Sequence, residues 1–158
     1  MIAENLKIVP VWVQPVDFTS ATDTDSIDMS GYHKATFIYM FETCGAAVVH
    51  SMNCGLTTGA KTTAVPFKHA LGGAAIGTAV AGSAASCDVL GAWGDATTTA
   101  SITASTKMVV CEVDAANMDI ANGYKWLTGT TTCASGIGFC LVILEPRYSG
   151  NSSVTALA

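Results

Sequence analysis

The chain predicts an all-β fold: an antiparallel β-sandwich or jelly roll of roughly eight to nine strands with an extended N-terminal arm. Three observations carry this expectation. Short segments alternate apolar and polar residues, glycine-containing turns separate them, and no long stretch repeats its apolar residues at helical spacing.

Taken in order, residues 8–16 read as an extended segment. Pro10 and Pro15 interrupt it, which suits an edge strand or an arm better than a central strand. Residues 35–42 (ATFIYMFE) alternate cleanly, with Ala35, Phe37, Tyr39 and Phe41 on one face and Thr36, Ile38, Met40 and Glu42 on the other. Residues 46–54 (AAVVHSMNC) follow after Thr43, Cys44 and Gly45, so the two segments are expected to form a hairpin. Residues 107–113 (KMVVCEV) oppose Met108, Val110 and Glu112 to Val109, Cys111 and Val113. Asp114 is placed to cap one helical turn over residues 114–121. Residues 137–145 (IGFCLVILE) are apolar on both faces and are expected at the centre of the fold. Weaker strand candidates cover residues 63–68, 86–91, 98–104 and 124–130. The tail after Tyr148 (SGNSSVTALA) is small and polar, so order there has to come from a neighbour. The resulting division is an arm or edge strand over residues 1–16, a sandwich domain over 17–148 and a tail over 149–158.

Composition narrows the class. Charged residues make up only 12% of the chain, hydrophobic residues 50%, and the mean hydropathy is +0.44. Between Thr43 and Thr106 the only charged side chains are Lys61, Lys68, Asp88 and Asp95. A soluble monomer keeps a well-charged surface, so this chain reads as part of something larger. The suspected covered surface then falls on the middle strands and on an Ala/Gly-rich insert over residues 71–85. The longest apolar run, residues 70–82, is broken by Gly72, Gly73, Gly77 and Thr78 and is too short to span a bilayer. The N-terminus shows no secretory pattern, so synthesis in a cytoplasm is expected. Net charge is -5 and the seven Lys and Arg are scattered, which disfavours direct nucleic-acid binding.

No chemistry-bearing constellation stands out. Cys44, Cys54, Cys87, Cys111, Cys133 and Cys140 have no zinc-type spacing. They are expected mostly as buried thiols, with disulfides between neighbouring copies as the alternative if the protein leaves the cell. Asp23, Asp25 and Asp28 alternate as calcium ligands do, but the glycine and distant glutamate of an EF-hand loop are missing, and turn formation is the simpler reading. His50 with Cys54 lacks any nucleophile signature, and a hydrogen-bonded strand histidine is the simpler reading there. The glycine pairs lack the features of phosphate loops. Trp12, Trp93 and Trp126 are too far apart in sequence to define a sugar platform. No enzyme, metal or cofactor is expected.

Three stretches resemble small virion proteins of tailed bacteriophages. They are DSIDMSGY (25–32) followed by the strand at 35–41, EVDAANMDIANGYKWL (112–127), and LEPRY (144–148). The resemblance spans about residues 17–150 and implies a β-sandwich capsid decoration, or cement, protein. Such a protein sits outside the shell of major capsid protein, commonly as a homotrimer, in the virion, with no membrane or direct nucleic-acid partner. The six cysteines and the insert depart from the pattern. On this reading Val11, Trp12 and Val13 in the arm, with Arg147 and Tyr148 at the exit, are the partner-binding candidates. Other virion roles (tail, neck or head-fibre base) and a surface-displayed carbohydrate-binding module are the alternatives.

Overall fold

The computed structural model describes residues 6–12, 15–72, 90–102, 108–148 and 155–157. Val13, Cys87, most of the 71–85 insert and tail residues 149–154 lie outside them. The described residues form twelve strands in two antiparallel six-stranded sheets, so the all-β antiparallel expectation holds with a higher strand count.

The first sheet runs β1 (Lys7–Pro10), β12 (Gly136–Pro146), β5 (Tyr32–Cys44), β10 (Met108–Asp114) and β8 (Lys68–Gly72), with β2 (Val16–Phe18) also pairing with β12. The second runs β3 (Ala21–Asp23), β11 (Trp126–Thr132), β6 (Val48–Gly55) and β7 (Thr63–Ala64). In that sheet β4 (Ile27–Asp28) joins β11, and β9 (Thr99–Ile102) joins β6. The extra strands are the short ones: β2 and β3 have three residues each, β4 and β7 two, too few for alternation to reveal. β1 and β2 each pair with β12 at the edge of the first sheet, as the prolines nearby predict.

The expected hairpin of residues 35–42 and 46–54 does not form. β5 lies in the first sheet and β6 in the second, and the three residues between them carry the chain across the sandwich. Both strands bury their alternate residues in one core, but they do so from opposite layers. Phe37, Tyr39 and Phe41 of β5 stack in a ladder, with centroids 6.0 and 6.3 Å apart and planes within 9° and 3°. His50 of β6 meets Tyr39 from the other side at 4.3 Å. Gly129 of β11 makes room for this contact, because a Cβ there would fall 2.5 Å from the Tyr39 hydroxyl.

Asp114 caps a short 3₁₀ turn, Ala115–Asn117, by accepting the amide of Ala116 at 2.9 Å. This matches the cap expected from sequence. A second 3₁₀ turn, Ile120–Asn122, ends on Gly123 at φ 90°, a left-handed geometry that glycine adopts without strain. Among the described residues no helix is long and apolar enough to cross a membrane.

Candidate interaction surface

The outward side of the first sheet is apolar across four strands. Register sets out its rows. Phe139 lies beside Met40, and Met40 beside Met108. Leu141 lies between Pro10 and Ile38, and Ile143 between Ile8 and Thr36. Strand alternation directs these residues away from the core, since their neighbours Val9, Phe37, Tyr39, Cys140 and Val142 are buried. Ile8 is 56% exposed and Met40 48%, while Ile38, Met108, Ile137, Phe139, Leu141 and Ile143 are half-buried. At one end a depression of about 300 Å³ is bordered by Pro15, Met40, Glu42, Ile137 and Phe139.

β12 therefore bears out only half of its expectation. It is an inner strand, paired on both sides, yet its second apolar face is turned outward. The covered surface expected from charge scarcity, on the middle strands and the 71–85 insert, lies in part outside the described residues. The apolar outward face is built from β1, β5, β10 and β12, which apart from Thr43 and Cys44 of β5 lie outside residues 43–106. Two-sided apolarity in β12 was the sequence signal that marked it.

The three motif stretches meet at one end of the sandwich. Asp28 caps the 3₁₀ turn Met29–Gly31 by accepting from the amide of Ser30 at 2.9 Å. It also receives the Lys125 ammonium at 2.7 Å. Met29 donates its amide to the Lys125 carbonyl at 2.9 Å, and Trp126 pairs with Asp28. From the third stretch, Arg147 donates its amide to Gly31 O and its Nε to Tyr32 O, each at 2.8 Å. The tail adds to the same end: Asp28 donates its amide to the Ala156 carbonyl at 2.8 Å, and Ala156 is buried. Burial works against the Asp28 charge, but the bonds from Lys125 and Ser30 outweigh it and hold this carboxyl below its ordinary range. These motifs are thus a structural clasp. Replacing Arg147 with Ala is expected to lower stability by about 1–2 kcal/mol, read from urea unfolding, because the buried carbonyl of Tyr32 loses a charged donor.

The five residues expected at a partner surface separate. Val11 and Trp12 lie in the protein's own core, 2% and 4% exposed. Trp12 stands edge-on to Tyr39 at 5.7 Å and donates Nε1 to the Asp23 carbonyl at 3.1 Å. The arm turns inward there because β1 and the amides of Val11 and Trp12 bond to β12, which presents the large apolar side chains to the interlayer space. Val13 lies outside the described residues, Arg147 belongs to the clasp, and Tyr148 is 70% exposed.

The polar candidates have local explanations. Asp23 takes Lys61 at 2.8 Å and the Thr130 hydroxyl at 2.6 Å, and Asp28 takes Lys125, so lysines occupy the carboxylates a shared cation would need. Among the described residues no cluster could hold a metal. Cys54, Cys111, Cys133 and Cys140 are buried and Cys44 is half-buried. Burial pushes the thiols of Cys111 and Cys140 upward, which makes them poor nucleophiles. His50 is fully buried against Tyr39 and Phe41, with Nδ1 3.1 Å from the Thr131 hydroxyl. Trp93 is exposed beyond β8 while Trp12 is internal, so the tryptophans form no common platform.

No protein-family model matches the chain, and no curated protein matches it in sequence. Among solved structures, the crystal structure of the SPBc2 prophage-derived protein YomS is similar at 10% identity and a TM-score of 0.43, covering 89% of this chain and 92% of that one.

Proposed function

We propose that this chain is a structural protein of a tailed-phage virion, a decoration protein that attaches to the outside of the capsid and bridges subunits of the major capsid protein. The observation that carries the proposal is the apolar outward face of the first sheet, a contiguous patch of the kind that marks a contact between subunits of an assembly. The low charge of the chain and its three virion-type motifs support the same reading. Its work is mechanical, burying apolar surface in an assembly so that the shell resists internal pressure.

The test is co-sedimentation of the purified full chain with capsids lacking it. Saturable binding that raises the temperature at which the capsids open is expected. A protein that ignores capsids and instead binds glycans as a stable monomer overturns the proposal.

A further inference from the structure

We propose that the neighbour covering the outward face of the first sheet is a second copy of this chain, docked face to face about a two-fold axis. This inference rests on the virion reading and names the immediate partner of the same surface.

Shape and area are the first argument. The apolar patch spans four strands, about 19 Å at ordinary strand spacing, and the seven residues from Ile137 to Ile143, about 23 Å. That is roughly 400 Å² in projection, so two copies bury about 900 Å² from the patch alone. With its margin the contact reaches the ~1,000 Å² that separates specific interfaces from incidental ones. A pleated apolar face is itself a natural complement of such a face, since sheets stack about 10 Å apart with interdigitated side chains.

Charge is the second argument. The margin carries both signs, Lys34 and Lys68 with Glu42, Glu112 and Glu145, and Lys34 already meets Glu112 at 3.5 Å. A margin of one sign would select a partner of the other sign. A mixed margin suits a surface of the same composition turned through a two-fold axis.

Symmetry is the third. A head-to-tail ring, including the trimer implied by the family resemblance, needs two different complementary patches on each copy. The other large exposed apolar residues, Leu56, Leu90, Trp93 and Tyr148, are spread over separate turns and segments. The described residues thus supply one extended apolar patch, which an isologous pair covers completely.

Sedimentation velocity of the full chain without capsids, from about 1 to 100 µM, tests this. A concentration-dependent dimer is expected, weakened about tenfold or more by Met40→Lys and by Ile8→Lys. Both positions are exposed, and an unchanged far-ultraviolet circular dichroism spectrum serves as the control for folding. A monomer at every concentration, a trimer, or a dimer indifferent to both substitutions overturns the proposal. If the wild type is monomeric but binds capsids, and Met40→Lys abolishes that binding, the face belongs to the shell. The virion reading then stands and the self-pairing falls. If neither association occurs, both fall.

Discussion

Stability is expected to fall steadily as pH is lowered from about 6.5, and His50 is the cause. The imidazole is fully buried between the sheets, and burial, with a smaller contribution from His69, lowers its pKa from 6.5 to about 3. The sign follows from proton counting. Below pH 6.5 the unfolded chain binds a proton on this side chain while the folded protein stays neutral, so acid favours unfolding. Each pH unit costs about 1.4 kcal/mol, or roughly 2–3 kcal/mol by pH 4.5, and the loss levels off below about pH 3. Tyr39, Cys111 and Cys140, packed in the same interior, are all shifted upward by burial and stay protonated throughout. Asp23 and Asp28 enter later. Their folded pKa values lie below 3.8, so the stability they contribute is lost only as pH falls below that value. Urea midpoints measured from pH 7.5 to 4.5 should therefore slope downward for the wild type and lie flat for His50→Gln. Equal slopes in the two proteins would remove His50 as the cause.

Trp12→Ala is expected to cost about 3–5 kcal/mol, a large share of the stability of a domain this size. The indole fills space against Tyr39 and ties the edge of the first sheet to β3 through the Asp23 carbonyl. The same packing alters what a deletion of residues 1–15 means. Removing them takes Val9, Val11 and Trp12 out of the core, so the shortened chain should unfold at lower urea instead of merely losing a partner. A truncated protein with wild-type stability, measured by urea unfolding, would show that these buried contacts contribute nothing.

Much of the fold was legible because alternation states which side chains share a face. Residues 35–42, 108–113 and 137–145 lie within β5, β10 and β12, and Ala35, Phe37, Tyr39 and Phe41, grouped on one face by alternation, are buried together. Alternation does not state which layer a strand joins. For that reason β5 and β6, each burying alternate residues, read as a hairpin although they face one another across the core. The surface was half legible. Ile137, Phe139, Leu141 and Ile143 signalled two-sided burial, but a strand cannot reveal whether its second apolar side meets its own chain or another. Ile8 and Met40 were missed because each completes the patch only through cross-strand register. The clasp was present in the sequence as three separate motifs, and nothing local indicated that Asp28, Lys125 and Arg147 would come together.

The strand borders of this sandwich decide how it is able to grow. Each margin is either pieced together from fragments or already paired. β1 and β2 share one side, with Pro10 the last paired residue of β1, and β3 with β4 and β7 with β9 divide the margins of the second sheet. Beyond β8, Leu90 and Thr97 bridge back to Gly72 and Phe67. Among the described residues no long, straight row of open amides and carbonyls remains for a stranger's strand to extend. A protein crowded at high local concentration, with so little charge to keep copies apart, is thereby steered from fibre-like stacking toward association through the outward face of its first sheet.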